Sequence, residues 1–334
     1  METHELDECL YKYPISATVQ NSVIDELWGA EGLDDTGEKS RNISLLSYFD
    51  YYAERVQRNL LAGHEFGLQN HADIVWVGQS EPSDMDDAID LCASLLTMTE
   101  VEFKQNLATR LSGRTPLVWE ENSLQDLLDH HFAPQTQLCA DNGKLGKLFT
   151  ARNLDRISGI SIKWTTNLTD HLRLTDDDRV VLVFQCASFL KLQDSLGRTL
   201  LPKSLMKETL NTLALLFPST DEPTREWLQK QRKSASIDAQ LNKCGALRTR
   251  ERRIENFSIW HDRLVILKQA FDESQPASIS QWWFDRRNTV QWYTFWIAVL
   301  VFAMTMFFGL VQSVLAAIQV YISYKNIRSG RQLM

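Results

Sequence analysis

One run near the C-terminal end limits this chain more than any other feature. FWIAVLVFAMTMFFGLVQSVLAAIQVY, from Phe295 to Tyr321, contains no Lys, Arg, Asp, Glu or His, and the charge-free window extends from Asn288 to Tyr324. A helix packed on a soluble core normally keeps a polar face. A membrane-spanning helix instead needs ~20 apolar residues, at ~1.5 Å each, to cross ~30 Å of hydrocarbon. Phe295 to Val314 supplies that length. Two spans would need about 40 apolar residues and a polar turn, and Gly309 alone is no turn. The sequence therefore predicts one transmembrane helix over 292–321, about 43 Å long, close to the thickness of a bilayer with its headgroup layers.

The flanks agree with a bilayer. Trp282, Trp283, Trp292, Tyr293 and Trp296 gather on one side of the run, and Tyr321 and Tyr324 on the other. Amphipathic aromatics favour the two interfaces. Arg286 and Arg287 precede the run, and Lys325, Arg328 and Arg331 follow it. The predicted interface residues are Trp282, Trp283, Arg286, Arg287, Trp292, Trp296, Tyr321 and Lys325. Small and polar residues also recur along one face of the span: Ala298, Thr305, Gly309, Gln312, Ala316, Gln319 and Ser323. Such stripes permit close helix approach in lipid. Thr305, Gly309, Gln312, Ala316 and Gln319 are thus the expected contact with a second copy or with another transmembrane helix.

The chain as a whole is globular in composition, with 44% hydrophobic and 23% charged residues among 334. A net charge of -8 argues against a general nucleic-acid binder, because phosphate attraction needs a basic surface. Cys9, Cys92, Cys139, Cys186 and Cys244 are far apart, with no CxxC pair, which fits reduced thiols better than a structural zinc. METHELDECLYKYP has no apolar run, so the N-terminus is expected to be neither a secretory signal nor a signal anchor.

Along the chain, residues 1–43 read as irregular. Leu46, Phe49, Tyr52, Val56 and Leu60 have helical spacing, with Gly63 suited to the C-terminus. Ala72–Gly78 reads as a strand. Ser83 is the expected cap of a helix through the DMDDAID acids, and Ser123 of a helix through Phe132. ISGISIKW and DRVVLVFQCASFL read as strands around a short helical NLTDHLRL. PKSLMKETLNTLALLFP is a helix ended by Pro218. The stretch from Thr249 to Glu273 reads as one amphipathic helix, with Ile254, Phe257, Leu264, Leu267 and Phe271 on a face. Ser278 and Gln281 form a capping-box pattern. The expected organisation is a mainly α domain with a few short β-strands (α+β) over 44–277, a juxtamembrane segment 278–291, the span, and a basic tail 322–334.

No motif carries chemistry. GLDDTGEKS lacks the Gly-Lys step of a P-loop, and Glu38 stands where phosphate would bind. The acids Asp84–Asp90 suit a helix start better than a cation site. TDDDR reads as a turn. His130 and His131 diverge on a helix, and His171 and His261 stand alone as packing or surface residues. Catalytic, cofactor and metal residues are therefore none, and no small-molecule ligand is expected. Ile157–Phe184 admits a winged-helix-like reading and hence a membrane-released DNA-binding module; a membrane-tethered enzyme is the other alternative to a scaffold. Between Lys230 and Arg253 eight cations outnumber Asp238 and Glu251. Such a segment gains about 1 kcal/mol per cation near anionic lipid, but it also reads as a solvated linker. Asn42, Asn167 and Asn256 begin N-x-[ST] matches, useful as reporters of topology.

ISIKWTTNLTDHLRL, ETLNTLALLFP, RIENFSIWHDRLVILKQAFDE and, above all, WWFDRRNTVQWYTFWIAVLVFAMTMFFG resemble a broad family of uncharacterised filamentous-fungal single-pass membrane proteins. The likeness covers about Leu145 to Tyr324. It departs at Thr166 and Thr169, where the family pattern prefers an acid and an alanine. The resemblance implies a C-terminal anchor and a cytosolic domain, and it implies no activity. The expectation is an interaction or scaffolding protein in an endomembrane or the plasma membrane, with its N-terminal domain in the cytosol and the lipid bilayer as its partner.

Overall fold

In this computed structural model the chain is described at residues 20, 23–24, 45–61, 66–68, 74–76, 82–102, 116–119, 123–134, 138, 143–196, 199–274 and 289–331. It is mainly helical, with a few short strands and one long apolar C-terminal helix. Two units are distinct, Met1–Ser274 and Gln275–Met334.

In the first unit Gln20, Val23 and Ile24 are helical, although residues 1–43 read as irregular in the sequence. Helix α1 (Leu46–Leu61) follows. The antiparallel pair β1 (Phe66–Leu68) and β2 (Ile74–Trp76) follows, and then α2 (Pro82–Thr97). Helix α2 starts one residue before Ser83, so that serine lies inside it and not at its cap. Two tyrosines of α1 fasten the C-terminal end of α2. The Tyr48 hydroxyl donates at 3.0 Å to the Leu95 carbonyl, in the last turn where carbonyls lack intrahelical partners, and that of Tyr51 donates at 3.1 Å to the Ser94 carbonyl, which also accepts from Met98 N–H at 2.9 Å. Strands β3 (Val101–Glu102) and β4 (Leu117–Val118) pair in parallel. Helix α3 (Leu124–His131) has the expected cap: Ser123 Oγ accepts from the Asp126 N–H at 3.1 Å.

The centre of the unit is a three-stranded sheet of β5 (Ser161–Thr165), β6 (Leu174–Thr175) and β7 (Val180–Phe184), in the order β5-β7-β6. β5 runs parallel to β7 and β6 antiparallel to it. The continuous apolar VVLVF suits a central strand covered on both faces, and Val181 to Phe184 are buried. The β6–β7 connection passes through Asp176, Asp177 and Asp178 at φ of 57°, 50° and 62°. Asp tolerates this left-handed region better than most residues. TDDDR is therefore a turn between two strands, where a turn after a helix was expected. ASFL belongs to α5 (Ala187–Ser195), and Cys186 stands immediately before that helix, outside the strand.

NLTDHLRL is not an α-helix but a single 3₁₀ turn, Leu168–Asp170. The Asn167 side chain causes this. Its Oδ1 accepts from Thr169 N–H at 3.2 Å and Oγ–H at 2.9 Å, and its Nδ2 donates to Asp170 at 3.0 Å. Those local bonds compete with helix formation. The β5–β7 connection thus lacks the recognition helix that a winged-helix unit needs.

Helix α4 (Ala151–Asn153) precedes the sheet and winds into the π turn Leu154–Ser158. Helices α6 (Lys203–Leu216) and α7 (Glu222–Arg232) follow α5, and α6 packs against α5. Leu205, Leu213, Leu216 and Phe217 are buried as their spacing required, while Leu210 is half-buried. The last helix, α8, spans only His261–Glu273. The expected helix from Thr249 is instead a turn, a 3₁₀ segment Ile254–Asn256 and a bend. Ile254 and Phe257 are still buried, but from irregular backbone.

The second unit contains α9 (Thr289–Arg331), an unbroken helix of 43 residues. At ~1.5 Å per residue it is about 64 Å long. It continues through Lys325 and Arg328 of the predicted basic tail. The Ser278–Gln281 pattern, the P-loop-like GLDDTGEKS, Gly63 and Asn42 lie outside the described residues.

Candidate functional site

Two places bear on function: the polar cluster around Trp260 and the apolar helix α9. The cluster starts from a helix without a local cap. Trp260 precedes α8 and offers no side-chain acceptor. The acceptor comes from α6. Glu208 Oε1 accepts the N–H groups of Ile259 and Trp260, both at 2.8 Å, and Oε2 accepts the N–H and Oγ–H of Ser258 at 3.0 and 3.1 Å. A carboxylate at a helix N-terminus meets both unfilled donors and the positive end of the dipole. This capture fixes where α8 begins and explains why the helix does not start at Thr249.

Trp260 is then held on three sides. Its indole N–H donates to Thr209 Oγ at 2.9 Å. The His171 ring meets it edge-on at 5.0 Å, and the Arg263 guanidinium lies 5.1 Å above it. Arg263 Nη1 also donates to the carbonyls of Thr169 at 2.7 Å and His171 at 2.5 Å. Burial lowers the Arg263 pKa to about 10, Asp170 opposing the shift and Arg173 adding to it; the side chain stays cationic at neutral pH.

His171 is wholly buried. Phe184 N–H donates to its Nδ1 at 3.1 Å, so Nε2 carries the proton and donates to Thr212 Oγ at 2.7 Å. Burial, with a smaller push from Arg263, drops the His171 pKa to about 3. Both ring nitrogens are engaged within the protein, so this imidazole ties sheet to helix. His261 is 7% exposed and bonded to Asp262 at 2.9 Å. His130 is exposed, and His131 sits edge-on to Phe132 at 4.9 Å. The four histidines form no common centre, and among the described residues no group of three or more His, Cys, Asp or Glu could hold a metal.

Cys92, Cys186 and Cys244 are free thiols. Burial pushes Cys92 and Cys244 up to about 11 and Cys186 well above its ordinary value. Thiols so held are poor nucleophiles. Glu208, Trp260 and Arg263 were not singled out from the sequence. The available signal was the missing cap before His261, which requires an acceptor from elsewhere in the chain.

Helix α9 has the opposite character. The stretch Trp292–Tyr324, 33 residues whose most apolar 18-residue window has a mean hydropathy of 2.3, is long and apolar enough to cross a membrane, and none of that window is buried. Leu300, Phe302, Met306, Phe307 and Leu310 are each more than half exposed. The hydroxyls turn inward: Thr294, Thr305 and Ser313 donate to the carbonyls of Val290, Val301 and Gly309 at 2.6, 2.8 and 2.9 Å. Of the predicted interface residues, Trp292 and Trp296 are half-buried with rings 6.2 Å apart, and Tyr321 is exposed. Lys325 lies on the helix. Trp282, Trp283, Arg286 and Arg287 fall outside the described residues. Gly309, Gln312, Ala316 and Gln319 are exposed along with Thr305, and open space surrounds the Gly309 Cα.

No family model, curated protein or solved structure matches the chain.

Proposed function

We propose that the protein is a single-pass membrane protein that holds a helical domain at a bilayer and acts there as an interaction or scaffolding protein. The observation that carries this reading is the bare apolar surface of Trp292–Tyr324. Water would penalise that surface by roughly 25 cal/mol per Å², and hydrocarbon removes the penalty. Thr294, Thr305 and Ser313 also bond their hydroxyls within the helix, as suits a segment surrounded by lipid. In the folded unit the buried cluster at Trp260 is occupied in holding α6, α8 and the sheet together, which favours a scaffold over a tethered enzyme. The fungal single-pass family resembled at the tryptophan-rich junction has the same layout.

The domain faces the cytosol in this reading. Free thiols at Cys92, Cys186 and Cys244 suit a reducing compartment. Topology is reported by Asn256, which is exposed although its amide donates to the Arg250 carbonyl at 2.9 Å; Asn167 is only 6% exposed, so it is unsuited to carry a glycan. The test is extraction of cell membranes with alkaline carbonate. The full chain should stay with the lipid, and a chain lacking 291–334 should be recovered in the soluble fraction with its α-helical signal intact. Release of the full chain by carbonate would refute the anchor.

A further inference from the structure

The basic stretch before the anchor takes a different shape in the fold from the one it has in the sequence. Asp238 leaves it: that carboxylate is buried, accepting the N–H groups of Ser188 at 2.6 Å and Gln240 at 2.8 Å. Cations from another part of the chain join it. Lys144 forms an antiparallel bridge with Arg253. Leu145 N–H donates to the Arg252 carbonyl at 2.8 Å and Ile254 N–H to that of Gly143 at 2.9 Å. The Arg252 guanidinium donates to the Gly146 carbonyl at 2.6 Å. These bonds bring Lys144, Lys147, Arg248, Arg250, Arg252 and Arg253 together, all exposed except the half-buried Arg252.

Three carboxylates stand among the six cations: Asp221, whose charge acts on Arg252, Glu251 and Glu255. Glu251 accepts the Arg248 backbone N–H at 2.6 Å, and Glu255 lies 3.5 Å from Arg253. The excess of positive charge stands on a chain of net charge -8. At the bridge, Lys144 and Arg253 are like charges on directly paired residues, an arrangement that destabilises a β pair. Folding alone does not favour it, and an external anion relieves it. Leu148, 41% exposed, adjoins the cations, and exposed leucine beside Lys and Arg is the pairing that interfacial surfaces use.

Residues 275–288 connect this unit to α9. At ~3.5 Å per residue that connection reaches no further than about 50 Å. A surface on a short tether meets its membrane at an effective concentration near millimolar, so weak contacts suffice.

We propose that the face built by 143–148 and 248–254 docks on the anionic headgroups of the bilayer that holds α9. This rests on the anchor reading. The charges act over about 8 Å at physiological salt, so docking requires close approach and reverses at high salt.

The experiment is hydrogen–deuterium exchange of the full chain in nanodiscs of phosphatidylcholine, with and without phosphatidylserine. Amides of 143–148 and 248–254 should exchange roughly tenfold more slowly over anionic lipid, and salt should abolish the difference. A triple variant, Lys144→Glu, Lys147→Glu and Arg250→Glu, should lose the lipid effect while α6 and α8 keep parental exchange; none of the three side chains caps an element. A lipid effect undiminished in the variant overturns the proposal. So does protection that inorganic phosphate or single-stranded RNA produces in neutral discs and anionic lipid does not. Entry into discs with equal exchange in both lipids overturns docking alone, whereas failure to enter the discs overturns the anchor and docking together.

Discussion

In the unit Met1–Ser274, most leucines and phenylalanines described lie inside, and the buried Glu208, Asp238 and His171 find partners far away in sequence. In Trp292–Tyr324 the same apolar residue types lie outside, and the hydroxyls bond to carbonyls four residues back. The contrast teaches that one chain carries two solutions to the same constraint, that a polar group out of water needs a partner. The folded unit supplies partners by tertiary structure, so its bonds depend on the whole fold. The helix supplies them locally for Thr294, Thr305 and Ser313, so those bonds require nothing from the rest of the protein.

Breaking a long-range partner should therefore have the larger effect. Glu208→Ala leaves three backbone donors before α8 unfilled and should cost about 3–5 kcal/mol of unfolding free energy by denaturant titration. Glu208→Gln keeps one acceptor oxygen and should cost less than half of that. Equal stability of all three proteins would mean that α8 finds its cap elsewhere.

His171 sharpens the comparison through pH. Above pH 6.5 the imidazole is neutral in both folded and unfolded chains, and it adds no pH dependence. Between 6.5 and about 3 the unfolded chain binds a proton that the folded chain refuses. Stability should then fall as pH falls, by up to about 1.4 kcal/mol per pH unit, and level off below the folded pKa. His131, lowered by burial and by Arg263 and His130, acts in the same direction. His171→Asn should lose about 2 kcal/mol at neutral pH through the broken Thr212 bond and show a flatter decline on acidification. An unchanged slope would remove His171 as the source.

Local signals were legible in the sequence and tertiary ones were not. Ser123 caps α3 because its acceptor and donor are three residues apart. The apolar run of α9 was legible because membrane length and composition are local properties. The irregular path from Thr249 to Trp260 was not, since Glu208 lies about 50 residues away and the apolar spacing of Ile254 and Phe257 imitates a helix. The short helix expected at NLTDHLRL failed for a local reason that could have been read: Asn167 followed by Thr169 and Asp170 is an Asx-turn sequence. The basic face was half legible, because Lys144 and Lys147 join it only through the bridge to Arg253.

The smallest expected effect concerns contacts between helices. Thr305, Gly309, Gln312, Ala316 and Gln319 share one face of α9, and interhelical amide bonds in lipid are worth about 0.6–2 kcal/mol. In a FRET assay on full chains in vesicles, Gln312→Leu and Gly309→Leu should each weaken self-association by roughly threefold to thirtyfold. A Cβ at 309 meets nothing within 4 Å, and residue 309 is exposed on the helix, so a loss reports the contact between chains. Equal signal from parent and variants would leave the helix a passive anchor.

The central claim is that α9 crosses a bilayer with the folded unit on the cytosolic side. Its most direct test is glycan mapping in cells of a full chain carrying an acceptor sequence fused after Met334. The fused acceptor should be modified and the native, exposed Asn256 should not. Modification of Asn256 with the fused site bare would reverse the topology, and modification of neither would contradict the crossing itself.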